Sequence, residues 1–217
     1  MNKPEPAPIP APAPPGPKCK EILDGARRVF RAEGFDGASM DKIARAAGVS
    51  KGTLYVYFRN KEELFKELVA LDRSEAAEQI FLGEDDEAEI GDLLQTLGEK
   101  FLTMMVAPSH VSLIRMVIGA AEKCPEAGRA FFEMGPCFGI DRVAAYLERQ
   151  AARGRLDLND DPKLAAAHFL NLCHGEVAKR LLFGFGDQPS KEQIEATVAS
   201  AVRVFLCAYG TKAQQRA

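Results

Sequence analysis

From residue 18 onward apolar side chains recur every three or four positions, and strictly alternating runs between turn signals are missing, so the pattern predicts an all-α chain. A first helix is predicted over about 20–33, with Ile22, Leu23, Ala26, Val29 and Phe30 on one stripe. Gly34 follows where a left-handed residue ends a helix, and Phe35 behind it is placed to fold back on Phe30, as in a Schellman stop. "FDGAS" reads as a turn. Ser39 is predicted to cap a second helix, with Asp41 in its positive first turn, Ile43, Ala44 and Ala47 facing inward, and Gly48 at its end. Gly48-Val49-Ser50 then leads into a third helix that Ser50 can cap and whose last inward residue is Phe58. That short glycine-bearing link has helix-turn-helix spacing. Asn60 with Glu63 reads as the capping-box-like start of a fourth helix carrying Leu64, Phe65, Leu68 and Leu71.

Further helices are predicted near 89–106, 109–122, 125–134, 137–153, 162–183 and 191–209, punctuated by Pro108, Pro125, Gly154, Pro162 and Pro189. Asp161 before Pro162 reads as a cap followed by proline at the first helical position, and Ser190 with Gln193 as a capping box. The acidic cluster "GEDDEAE" at 83–89 is the expected hand-over between an N-terminal module and a larger body. The expected organisation is a tail at 1–17, a helix-turn-helix module at 18–71 and a helical body at 72–217.

The third helix raises a chemical question, because "GVSKGTLYVYF" places tyrosines and a lysine where a compact domain needs none. With Leu54 at zero on a helical wheel, Phe58 falls at about 40°, and these two define the buried face. Gly52, Val56 and Thr53 point away, and Tyr55 and Tyr57 flank them. The outward face is thus slim at its centre with hydroxyl-bearing rings at its edges. A major groove about 12 Å wide admits one helix, so short central side chains with flanking hydroxyls suit a base-reading surface. Thr53 can bond a base edge, Val56 can touch a thymine methyl, and Lys51 can meet a guanine or a phosphate. Ser39 and the N–H groups opening the second helix can receive a phosphate. Taken singly, each tyrosine could equally be a half-buried packing residue with a wet hydroxyl.

Charge changes the picture. The chain of 217 residues carries a net −3, yet residues 27–61 hold eight basic and three acidic residues, so a cationic module sits beside an acidic body. The first seventeen residues hold eight prolines and no apolar run, so they are not expected to act as a secretory leader and are predicted to form a polyproline-biased disordered tail. No segment approaches eighteen uninterrupted apolar residues, so no membrane span is expected. Five scattered cysteines without a CxxC pair fit neither a disulfide framework nor a zinc site, which suggests a reducing cytoplasm.

The stretch "ARRVFRAEGFDGASMDKIARAAGVSKGTLYVYFRNKEELFKELV" resembles the N-terminal DNA-binding module of the TetR family of bacterial repressors, over roughly Lys20 to Leu71. The resemblance implies a helix-turn-helix at about 39–58 that contacts double-stranded operator DNA through Ser39, Met40, Ser50, Lys51, Gly52, Thr53, Tyr55, Val56 and Tyr57, with Lys61 opening the fourth helix beside the DNA. "LIRMVIGAAEKCPEAGRAFFEMGP", "LERQAARGRL" and "DDPKLAAAHFLNLCHGEVAKRLLFG" are similar to the AefR-like C-terminal subgroup of that family. This implies a regulatory body that binds a small ligand and dimerises.

For a pocket in that body the candidates are Met104, Met105, Arg115, Met116, Phe131, Phe132, Phe138, Tyr146, His168 and Phe169, each of which could instead be core. Arg115, inside "SLIRMVI", either reaches solvent or meets a buried partner such as a ligand anion. The helix at 162–183 is apolar on nearly every side, including Leu164 and Leu172, and Ile194, Val198, Ala201, Phe205 and Ala208 repeat at spacings of 4, 3, 4 and 3. A four-helix homodimer interface made from two copies of this pair would cover both, and a monomer core is the alternative. His168 and His174 lie six apart on different faces, so no metal site is expected, and no motif supports catalysis or a cofactor. The expectation is a cytoplasmic homodimeric regulator, chiefly a repressor, of a palindromic operator, released by a small apolar or aromatic ligand. A ligand-free DNA-binding regulator and an all-helical protein-interaction module are the alternatives.

Overall fold

The computed structural model describes residues 16–80 and 88–211, with side chains at 16–72 and 88–211. Residues 1–15 of the expected tail and most of the acidic 83–89 cluster lie outside the described residues, and Pro17, placed in the tail, instead begins the first helix. In chain order the helices are α1 (Pro17–Gly37), α2 (Met40–Ala47), α3 (Lys51–Tyr57), α4 (Lys61–Ile80), α5 (Ile90–Val106), α6 (Pro108–Ala120), α7 (Pro125–Phe132), α8 (Phe138–Ala152), α9 (Pro162–Leu182) and α10 (Lys191–Tyr209), with a π-helical turn at Glu133–Cys137 between α7 and α8. Among the described residues there is no strand, only an isolated bridge between Leu156 and Gly210. No single helix among them is long and apolar enough to cross a membrane.

Helix boundaries follow the local chemistry. Ser39, Ser50, Asn60, Asp161 and Ser190 each accept a backbone N–H three residues on, from Lys42, Thr53, Glu63, Leu164 and Gln193. Gln193 returns the bond to the Ser190 N–H and completes the capping box. At Asn60 the return differs, because Glu63 accepts from the Arg59 N–H instead. Pro108, Pro125 and Pro162 occupy first-turn positions, where a missing N–H costs nothing. Gly48 ends α2 with φ 67° and ψ 30°, its N–H returning to Ala44 and Arg45. Gly34 departs from the Schellman stop. Its φ of 70° with ψ near 180° breaks α1, and the chain then resumes a helical turn through Gly37. Phe35 still stacks on Phe30, and both meet the Phe65 ring.

Two apolar cores result. The first joins α1–α4 and continues into α6 and α7 through Leu113, Met116, Val117, Ala120, Cys124, Ala127 and Phe131. The second lies among α5, α8, α9 and α10. Each has a glycine pinch point. A methyl group on Gly25 would lie 2.6 Å from Ala47 Cβ and 2.7 Å from its Cα, so α1 and α2 touch almost backbone to backbone. A methyl group on Gly98 would lie 2.5 Å from a Val198 methyl and 3.0 Å from Cys173 Sγ, which brings α5 tightly against α9 and α10.

That second crossing corrects the reading of α10. Ile194, Val198, Ala201 and Phe205 are buried within one chain, with Phe205 against Phe169 of α9 at 5.3 Å between ring centres, so their seam is core rather than interface. The physical reason is α5, a neighbour that a two-helix view of α9 and α10 leaves out. Leu164 and Leu172 do remain exposed.

Candidate nucleic-acid interface and effector cavity

Helix α3 is held from behind and open in front. Leu54 is fully buried and Phe58 nearly so, whereas Val56 is 81% exposed, Tyr55 and Tyr57 are exposed, and Thr53 is half-buried. Ser50 Oγ shares a further hydrogen bond with Thr53 Oγ1 at 2.8 Å, so the first turn presents a joined pair of hydroxyls. Gly52 is exposed, and a methyl group there would meet only Ser50 Oγ at 3.8 Å. The protein's own packing therefore does not require glycine at that position.

Lys51 Nζ lies 2.8 Å from Asp41 Oδ1, both side chains being exposed. The hydrogen bond and charge of Asp41 raise the pKa of that ammonium, so the residue stays cationic and would exchange a carboxylate for a phosphate on contact. Two expected contacts are placed differently. The Met40 side chain is buried in the first core, which leaves only its backbone N–H at the opening of α2. Lys61 is half-buried, donates to the carbonyls of Phe35 at 2.7 Å and Ala38 at 3.3 Å, and covers the Phe35 ring. Its charge serves the end of α1, where unpaired carbonyls attract a cation.

Much of the positive surplus is similarly engaged. Arg27 pairs with Asp24 and Asp72, Arg28 donates to the Ala46 carbonyl, and Lys42 pairs with Glu33. Arg45, in the last turn of α2, and Arg59, just beyond α3, are exposed and have no ion pair among the described residues. Arg45 precedes the turn and Arg59 follows the far end of α3, and both join the candidate surface. The sequence signal for them was the charge surplus, which counts cations without saying which are already paired.

In the body, a cavity of about 430 Å³ opens between α5, α6, α7, α8 and α9. Met104, Met105, Phe131 and Phe132 line it as expected. Tyr146 and Phe169 are buried core, His168 is exposed and bonds Tyr209 through Nδ1 at 2.7 Å, and Met116 belongs to the first core. Phe138 is exposed beneath the Arg142 guanidinium. Arg115 also lies outside this cavity: its guanidinium donates to the carbonyls of Leu181 and Leu182, capping the C-terminal end of α9. Its partners there are main chain, and the exposed side chain reaches solvent beside a second cavity of about 610 Å³ that Met116 also lines. His110, Asn171 and His174 line the cavity and were missed. Asn171 and His174 share one face of α9, but His110 comes from α6, some sixty residues earlier, so no spacing rule could join it to them.

Two capped helices joined by a glycine turn, the second presenting a slim solvent face in front of a two-residue anchor, define a helix-turn-helix protein. Residues 22–68 match the family of bacterial regulatory proteins of the tetR type, and residues 92–211 match the C-terminal domain of AefR-like transcriptional repressors. The chain belongs to the TetR family, a family of transcription regulators and not of enzymes. It is similar to the HTH-type transcriptional repressor AcnR of Corynebacterium diphtheriae, 38% identical over 187 residues that cover 85% of this chain and 90% of that one. Other curated relatives are matched over a shorter span, one at 39% identity over 61 residues, about a third (32%) of its length. Among solved structures, a TetR-family regulator from Mesorhizobium loti superposes with a TM-score of 0.82 at 30% identity, covering 89% of this chain and 97% of that one. The Flavonoid-responsive Regulator FrrA superposes with a TM-score of 0.79 at 32% identity, covering 91% and 100%.

Proposed function

We propose that the protein is a cytoplasmic, ligand-responsive transcriptional repressor that binds a palindromic operator as a homodimer. The observation that carries the reading is α3, with Leu54 and Phe58 anchoring it while Gly52, Val56 and the tyrosines face solvent. Ser39, Ser50, Lys51, Thr53, Tyr55 and Tyr57 supply hydrogen bonds and charge, and Gly52 and Val56 supply closeness and an apolar contact. Two such helices related by a twofold would enter successive major grooves about 34–36 Å apart, or a multiple of that. Repression is supported by the repressor named above. The exposed Leu164 and Leu172 of α9 and Val204 of α10 support an interface between two copies built on the outer faces of these helices.

Responsiveness to a small apolar or aromatic ligand is supported by the cavity in the body and by the structural neighbour named as flavonoid-responsive. A ligand acts by preferring the protein state whose reader spacing misfits the operator, since only differential affinity shifts that equilibrium. Footprinting of the region upstream of the protein's own gene tests the reading. A protected palindrome is expected, and binding indifferent to sequence would sink it. Should the operator be protected while no compound weakens binding, regulation without a ligand replaces the ligand-responsive part.

A further inference from the structure

The cavity in the body is uncharged. Among the described residues no Asp, Glu, Lys or Arg lines it, and the one cation expected there, Arg115, is bonded to the end of α9 instead. Its polar groups are His110, buried, His174, half-buried, and Asn171, exposed at the rim. On α9 the lining residues Ala167, Leu170, Asn171 and His174 follow at i, i+3, i+4 and i+7, one stripe of the helix turned toward the cavity. His174 has no hydrogen-bond partner among the described residues. Burial, helped by Lys179, pushes its pKa down, so the ring is neutral at neutral pH. A neutral imidazole offers one donor and one acceptor, and here no protein group among the described residues takes either, which leaves both for a molecule in the cavity. Gly175 directly follows with φ 49° and ψ −151°, breaking α9 beside that ring.

The wall chemistry narrows what can enter. A carboxylate or phosphate would shed its hydration with no cation to meet it, and an ammonium would do so with no anion. Aromatic rings and thioethers from Phe101, Phe131, Met104 and Met105 favour the faces and edges of another aromatic system. We propose that this cavity takes an uncharged planar aromatic molecule whose hydroxyl or carbonyl group hydrogen-bonds to His174, with Asn171 meeting a second polar group at the rim. The inference rests on the ligand-responsive reading above and supplies its chemical class.

A matched set of probes on one scaffold tests it: 4-phenylphenol, biphenyl, biphenyl-4-carboxylate and 4-phenylbenzylammonium, titrated calorimetrically into the full chain. The phenol is expected to bind at least tenfold more tightly than either ion and several-fold more tightly than biphenyl. His174→Phe is expected to erase the advantage over biphenyl while biphenyl still binds. In the unsubstituted protein the ring nitrogens of His174 should shift in NMR spectra with the phenol and stay in place with biphenyl, a readout that does not depend on the variant folding. An ion bound as tightly as the phenol, no binding by any of the four, or a His174 ring that the phenol leaves unmoved overturns the proposal. Operator binding is read separately. A phenol that occupies the cavity and leaves DNA affinity unchanged removes ligand control and keeps the site, whereas a charged effector that releases the DNA does the reverse.

Discussion

Helix α3 has seven residues and buries Leu54 alone, with Phe58 just past its end, whereas α10 has nineteen and buries Ile194, Val198, Ala201, Val202 and Phe205. Both carry an apolar stripe backed by smaller or polar residues, and both invite the reading that one face is kept for another molecule. They end differently because of their neighbours. α3 lies at the edge of the first core and is covered from one side only. α10 is packed by α9 and, at the Gly98 crossing, by α5, so its stripe is used up within the chain. An apolar stripe says which side chains need cover, and only the three-dimensional arrangement says which chain provides it.

The largest expected effect breaks the comparison at α10. Phe205→Ala should lower stability by about 3–5 kcal/mol in chemical denaturation, as for other large aromatic truncations in cores. If the variant instead dissociates a dimer while each chain stays as stable as before, the seam is an interface after all. Ser50→Ala should lower stability by about 1 kcal/mol through loss of the α3 cap, and weaken operator binding as well. Gly52→Ala sharpens the contrast most. With room for the methyl group, it should leave the fold unharmed or stabilise it by about 0.4–1 kcal/mol, yet reduce operator affinity in a binding titration. A variant that keeps full affinity would show that this face approaches nothing. Smallest of all, Tyr57→Phe and Lys51→Ala should leave the melting temperature unchanged, with each weakening operator binding modestly. The lysine variant should also reduce the salt slope of binding by about one.

Most of the fold was legible in the sequence because helix ends are written locally. Ser39, Ser50, Asp161 and Ser190 cap as their positions predict, and prolines begin the helices they were expected to begin. The anchors of α3 were legible for the same reason, since Leu54 and Phe58 are set by helical spacing alone. What escaped depends on contacts across long separations. Lys61 is drawn to carbonyls more than twenty residues earlier, Arg115 to carbonyls more than sixty residues later, and Met40 turns inward where its neighbours turn out. The π-helical turn at Glu133–Cys137 was also invisible, since the gap expected between helices ending near 134 and starting near 137 is instead a widened turn, with Pro136 inside it, along the cavity wall.

The near-contact of Gly25 with Ala47 bears on how any signal could travel. With main chain resting on main chain at that point and a core shared by α1–α4, the helices of the reading head are packed as one unit. In the proposed dimer, a change in the distance between the two heads then has to be delivered from outside them. The lever best placed to deliver it is α6, which lends Leu113, Met116 and Val117 to the head's own core while His110 and Ile114 line the cavity.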